Sequence, residues 1–226
     1  MNNIPLVSIL ISTYNAEDSI LNAIRSIQNQ TYKNLEILIL DDGSTDNTYK
    51  LLQSIAPKDP RIKLLRNNEN IGLTRSLNIL INSSKGPIIA RQDADDISLP
   101  ERIMTQITCI QNHNLDFCSS RAITMNSKKK IPNLSYYFPK KFLIKFKNPF
   151  IHGTLMIKRD ILLEVGIYDE YYHYAQDYKL MIKLLNKGYS FKVVKEPLYM
   201  LNTENNISTL NYQEQKKYAE DAKRGK

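Results

Sequence analysis

The feature that most constrains this chain is an alternation of short β-branched apolar runs with amphipathic helical stretches. Residues 6–12 (LVSILIS), 35–40 (LEILIL), 62–66 (IKLLR) and 87–91 (PIIAR) read as strands. The first two are apolar at nearly every position, as strands covered on both faces are. After the first, Ile20, Ala23, Ile24 and Ile27 recur at helical spacing, with Glu17 and Asp18 at the positive end of the helix dipole. A second helix is expected from a cap at Thr45 or Asp46 to about Ile55, and a third over 72–84 with Gly86 just past its end. Ser98-Leu99-Pro100-Glu101 carries a capping-box pattern and an early proline, which predicts a fourth helix to about His113. Strand–helix alternation of this kind calls for a parallel sheet covered by helices on both faces. Ligands in such sheets sit in the crevice beyond the carboxyl ends of the strands.

The second half is less regular. Strand is expected within 115–124, a basic, aromatic, loop-rich stretch over 127–147, and a strand over 154–157. Helices are expected over 159–165 and 176–186, and two late strands over 190–194 and 198–201. From about Thr203 the chain is polar and is expected to be poorly ordered. No linker divides it, so 1–226 reads as one domain.

Composition excludes several classes. Hydrophobic residues at 42% and charged residues at 24% are ordinary for a globular chain, so disorder is not the default. Cys109 and Cys118 suit a reducing compartment and are too few for a zinc site of their own. No apolar run approaches the ~20 residues that span a bilayer, and the N-terminus lacks signal-peptide blocks. A cytoplasmic location is therefore expected. The net charge of +8 gathers in Lys128–Lys130, in Lys140, Lys141, Lys145 and Lys147, and in Lys216, Lys217, Lys223, Arg224 and Lys226. Such clusters are either solvated surface or a means of adhering to an anionic membrane face, where each cation contributes ~1 kcal/mol. With no aromatic-and-basic RNA platform and no zinc-finger spacing, nucleic acid is not an expected partner. The glycine-rich loops of P-loop and dinucleotide-binding enzymes are absent, as is a nucleophile elbow.

Five clusters could carry chemistry. Asp93, Asp95 and Asp96 repel one another unless a cation holds them. Their hard oxygens suit Mn²⁺ or Mg²⁺ bridging to phosphates, and the alternative is a solvated acidic turn. Asp41 and Asp42, before Gly43, could accept hydrogen bonds from a base or ribose, or could simply serve the turn. Thr13-Tyr14-Asn15 could stack a ring on a base, or bury a satisfied tyrosine. Asp177 is either a general base or a helix-dipole partner. His152 is a structural histidine or a part of the acceptor or diphosphate site.

These residues together resemble a family. Val7 to Asn15, Ile39 to Asp46, Asn70 to Asn78, Ala90 to Asp96, His152-Gly153-Thr154 and Gln176-Asp177-Tyr178 occur in the order found in family 2 glycosyltransferases. The resemblance covers about residues 5–201 and is greatest to bacterial enzymes of O-antigen, capsule and related surface glycans. It implies a GT-A fold, that is, a Rossmann-like mixed, mainly parallel sheet flanked by helices. It also implies a nucleotide-diphospho-sugar donor, most simply a UDP-sugar, and inversion at the anomeric carbon. Residues to about 98 would bind donor, and 99–202 would bind acceptor, a glycan or a lipid-diphosphate-linked saccharide at the cytoplasmic membrane face. Thr13, Tyr14, Asn15 and Glu17 match the first nucleotide-binding segment, Asp42 with Asp41 the base-contacting aspartate, and Arg75 a basic residue near the nucleotide. Asp93, Ala94 and Asp95 match the metal-binding DxD segment, with Asp95 the expected direct ligand. Asp177 matches the catalytic base. Gln176 stands where relatives often carry Glu, which bears on acceptor binding together with His152. A nucleotidyltransferase and a non-catalytic sugar-nucleotide or glycan-binding subunit are the alternatives.

Overall fold

The computed structural model describes residues 4–204 and 211–225. Its first part runs β1 (Val7–Thr13), α1 (Ile20–Gln28), β2 (Leu35–Asp41), α2 (Thr48–Ile55), β3 (Ile62–Arg66), α3 (Leu73–Ser83) and β4 (Ile88–Asp93), the expected alternation. Then follow β5 (Ile97–Ser98), α4 (Arg102–Asn112), β6 (Phe117–Thr124), β7 (Lys130–Ile131), α5 (Lys140–Leu143), β8 (Met156–Lys158), α6 (Arg159–Glu164), α7 (Gln176–Asn186), β9 (Phe191–Leu201) and α8 (Tyr212–Arg224). One sheet has the order β3-β2-β1-β4-β8-β6-β9-β5, with β7 on β6. Strands β3, β2, β1 and β4 are parallel, and β8 runs antiparallel to both β4 and β6.

Alternation along the strands builds two core layers. Val7, Ile9 and Ile11 pack with Ile20, Ile24 and Ile27 of α1 and Ile103 and Ile107 of α4. Leu10, Leu38 and Leu40 face the other way, onto Leu77 and Leu80 of α3 and Leu180 and Leu184 of α7. Each such side chain contributes roughly 1.5–3 kcal/mol on full burial, so both faces of the parallel half are fixed.

Four expectations shift. The capping-box serine does not cap α4: Ser98 lies in β5 and its hydroxyl donates to Gln92 Oε1 at 2.6 Å. A distant side chain serves the helix instead, Gln30 Oε1 accepting the Ile103 N–H at 3.0 Å. Gly86 is not a helix cap. A Cβ there would lie 2.6 Å from Ser8 Oγ and 2.7 Å from the Leu6 carbonyl oxygen, so the glycine permits close approach to β1. The two late strands are one strand, β9, whose register against β6 shifts around Arg121 opposite Pro197; a bulge absorbs the proline that reads as a break. The stretch expected to be poorly ordered contains α8, which buries Ala222 and sets Tyr218 among the rings of Tyr171, Tyr172, His173 and Tyr174. Of its cations, Lys226 lies outside the described residues.

Candidate active site

Parallel register sets Thr13 opposite Asp41 and Ser12 opposite Asp93, so three chemistry-bearing strand ends share the carboxyl edge of the sheet. Asp41 is buried; its Oδ2 accepts the Ser44 N–H at 3.3 Å and meets Arg66 Nε at 3.3 Å. Asp41 Oδ1 and Thr13 Oγ1 are buried without a protein partner. A buried polar atom left unpaired costs ~1–3 kcal/mol, so these two neighbouring atoms mark a place built for something else to bond. Tyr14 stands beside them, 45% exposed.

Asn15, Glu17 and Asp42 are engaged within the protein. Asn15, at φ 47°, accepts the Thr45 N–H at 2.9 Å, and Glu17 Oε2 accepts the Asn47 N–H at 2.9 Å. Asp46 caps α2 as expected, its Oδ1 accepting the Thr48 N–H at 2.9 Å. Asp42 accepts from Asn67 Nδ2 at 2.7 Å, Ile71 N–H at 3.1 Å and Gly72 N–H at 2.9 Å, and so ties down the loop before α3. Arg75 meets Glu170 at 3.4 Å, both half exposed.

At the end of β4, Asp93 Oδ1 accepts from the buried Arg91 guanidinium at 2.5 Å, and its N–H donates to the Tyr199 hydroxyl at 3.0 Å. Ala94 packs its methyl against the core. Burial, with the charge of Asp93, raises the Asp95 carboxyl above its ordinary range. Asp96 is almost fully buried, its Oδ1 accepting the Asn202 N–H at 2.6 Å; burial and then Asp93 and Asp95 push it up to about 8. Crowded carboxylates that resist ionising together are the donor set a hard divalent cation relieves. Among the described residues no three His, Cys, Asp or Glu side chains stand in metal-binding geometry. Asp93 and Asp95 therefore fit Mn²⁺ or Mg²⁺ as two protein ligands, with phosphate oxygens completing the shell.

Asp177 is half-buried in the first turn of α7, and Oδ2 accepts from Asn148 Nδ2 at 2.7 Å. Gln176 beside it is buried. His152 Nε2 lies 2.7 Å from the Tyr168 hydroxyl. Burial, then Arg91, lowers the His152 pKa, while Asp177 and Asp93 pull it up. One imidazole thus senses both the DxD strand end and the candidate base. Gly153 is pressed against the same place: a Cβ would lie 2.5 Å from both Asp93 Oδ2 and the Tyr199 hydroxyl.

Sequence reasoning missed the supports. Arg102 is wholly buried and donates to Gln106, Gln92, Ser98 and the Arg91 carbonyl. An arginine at a helix start gives no sign of this, whereas Arg91, an ionisable residue inside an apolar strand, does. Asn148 gave no signal. Lys140, grouped above with the basic surface, is instead buried: its ammonium donates to the carbonyls of Ser135, Tyr136 and Phe138.

The mixed, mainly parallel sheet with helices on both faces is the GT-A fold, and solved structures share it. TarS of S. aureus, solved with UDP-GlcNAc, superposes with a TM-score of 0.78 at 18% identity over 91% of this chain and 60% of that one. A mannosyltransferase of Pyrobaculum calidifontis, solved with GDP-Man and Mn²⁺, gives 0.68 at 22% identity over 87% of this chain and 56% of that one. The chain thus spans less than two thirds of these solved neighbours. The family described as glycosyl transferase family 2 matches residues 8–166. An uncharacterized glycosyltransferase of Haemophilus influenzae is 33% identical over 99% of this chain and 74% of its own length. WfaP of Escherichia coli, named a UDP-Glc:alpha-D-GlcNAc-diphosphoundecaprenol beta-1,3-glucosyltransferase, is 32% identical over 81% of this chain and 71% of its own. The chain belongs to glycosyltransferase family 2.

Proposed function

We propose that the protein transfers a hexose or N-acetylhexosamine from a UDP-sugar, with inversion, to a hydroxyl of a glycan or lipid-diphosphate-linked saccharide in surface-polysaccharide synthesis. The observation that carries this is the shared strand edge: unpartnered Thr13 and Asp41 atoms beside the Asp93–Asp95 carboxylates, with Asp93 and Asp177 acting on one histidine. The WfaP likeness supports the donor and acceptor classes. In this reading residues to about 98 bind donor and 99–202 acceptor, at the cytoplasmic face of the membrane.

Asp41 Oδ1 accepts a base N–H, Thr13 donates its hydroxyl, and Tyr14 stacks on the base. Asp93 and Asp95 would hold Mn²⁺ or Mg²⁺, which supplies charge neutralisation to the departing diphosphate. Asn148 orients Asp177 through Oδ2, leaving Oδ1 to take the acceptor proton. The acceptor oxygen bonds to the anomeric carbon as the bond to the diphosphate breaks, which inverts the centre in one displacement. His152, neutral at pH 7 by the direction of its shift, adds no charge against the proton transfer.

The test is binding and slow hydrolysis of a panel of nucleotide sugars with Mn²⁺, Mg²⁺ or EDTA, using Asp95→Ala as control. Metal-dependent turnover of one UDP-sugar, lost in the variant, is expected. Absence of binding to every sugar nucleotide refutes the reading.

A further inference from the structure

Between β6 and β8 lies a surface that the reaction above leaves unused. Leu134, Tyr137, Phe138, Phe142 and Phe146 are 55–74% exposed. Five of the twelve large apolar side chains exposed among the described residues thus fall within 14 consecutive positions. Such clustering marks an interaction site rather than scattered surface. Lys141, Lys145 and Lys147 stand exposed among them. No Asp or Glu occurs anywhere between Asp116 and Asp160, so nothing of opposite sign on this segment offsets its cations.

The surface is held in shape. The buried Lys140 ammonium gathers the carbonyls of Ser135, Tyr136 and Phe138, fastening the first turn to the second. Ile144 points inward, and its carbonyl accepts from the Tyr178 hydroxyl at 2.5 Å. Phe142 and Phe146 project outward with ring centroids 5.2 Å apart. One residue beyond Lys147, Asn148 bonds Asp177.

We propose that residues 134–147 form a docking surface for an anionic lipid bilayer, an inference that rests on the lipid-linked acceptor suggested above. Outward aromatic tips enter the headgroup region while lysines on flexible stems meet lipid phosphates. The chain immediately after the surface carries the side chain that orients the candidate base. Docking there brings a membrane-held acceptor to Asp177 without the protein leaving the bilayer face.

The experiment is co-sedimentation of the purified chain with vesicles of phosphatidylcholine, alone or mixed with phosphatidylglycerol, at low and high salt. Binding to the mixed vesicles only, weakened by salt, is expected. Lys141→Glu/Lys145→Glu/Lys147→Glu should lower the partition on the order of a hundredfold, at about fivefold per lysine. Phe142→Ser/Phe146→Ser should lower it at least about tenfold through lost apolar burial. Both variants should keep the circular dichroism spectrum and the lipid-free donor hydrolysis of the parent. Failure of the parent to bind anionic vesicles, equal binding to neutral ones, or variants that bind like the parent overturns the proposal. A parent that ignores vesicles but dimerises through Phe142 and Phe146 also overturns it, making the surface a subunit interface. Loss of donor hydrolysis with vesicle binding intact counts against the proposed function alone.

Discussion

Replacing Arg102 with Met should destabilise the protein by about 3–5 kcal/mol, the range for removing one partner from a buried charged network. The guanidinium lies over the Tyr199 ring at 4.9 Å and donates to Gln106 Oε1 at 3.0 Å, Gln92 Oε1 at 3.2 Å, Ser98 Oγ at 2.8 Å and the Arg91 carbonyl at 2.7 Å. Four charge-assisted bonds at roughly 1.5–3 kcal/mol each would sum to more than this. The smaller figure is the better one because Gln92 and Ser98 keep their bond to each other, and because removing the charge also ends its desolvation cost. With an unfolding entropy of about 2.1 cal/mol/K per residue over 226 residues, 3–5 kcal/mol corresponds to a fall in Tm of about 6–10 °C. Calorimetry at one pH and one protein concentration measures it. Arg102→Lys keeps the charge without the planar fork and should fall between. A drop below about 2 °C for Arg102→Met would refute the idea that this network braces the DxD strand end.

Other expectations concern the site and its surroundings. Gly153→Ala forces overpacking of ~1–3 kcal/mol onto Asp93 and Tyr199, so metal-dependent UDP binding should weaken about tenfold by titration calorimetry; unchanged affinity would remove Asp93 from the donor site. Asp177→Asn should lower turnover by roughly 10²–10⁴-fold with donor affinity retained, and full turnover in the variant would dismiss Asp177 as base. Arg61, chiefly, holds the Asp59 carboxyl well below its ordinary range. Its stabilisation is therefore fully present above the unfolded value near ~4 and is lost as pH falls through the folded one. Asp59→Asn should flatten the acid limb of the stability curve, and an unaltered limb would show the pair to be inert.

The parallel half was legible because burial on both faces leaves a mark: in 6–12 and 35–40 nearly every residue is apolar, and β1 and β2 lie within a residue of those bounds. The acidic strand ends followed from the same pattern. What failed was long-range. Whether Ser98 caps a helix or bonds Gln92 depends on a partner six residues earlier, in β4. The run Lys195-Glu196-Pro197 looks like an interruption, yet β6 pairs across it. The tail helix has too few apolar residues to show periodicity, and only its docking beside α7 reveals why Tyr218 and Ala222 are there. Lys140 and Lys141 are indistinguishable as letters, and only the fold turns one inward.

The pairing of Thr13 with Asp41 and of Ser12 with Asp93 has an evolutionary consequence. A slip of one residue in either ladder would turn every neighbouring side chain to the opposite face and expose the core. The donor edge is therefore inherited whole or not at all. Asp177, by contrast, is steered by a single amide from Asn148, on a segment outside those ladders. Drift can accumulate in that segment at little cost to folding, which lets one conserved chemistry be turned toward new acceptors.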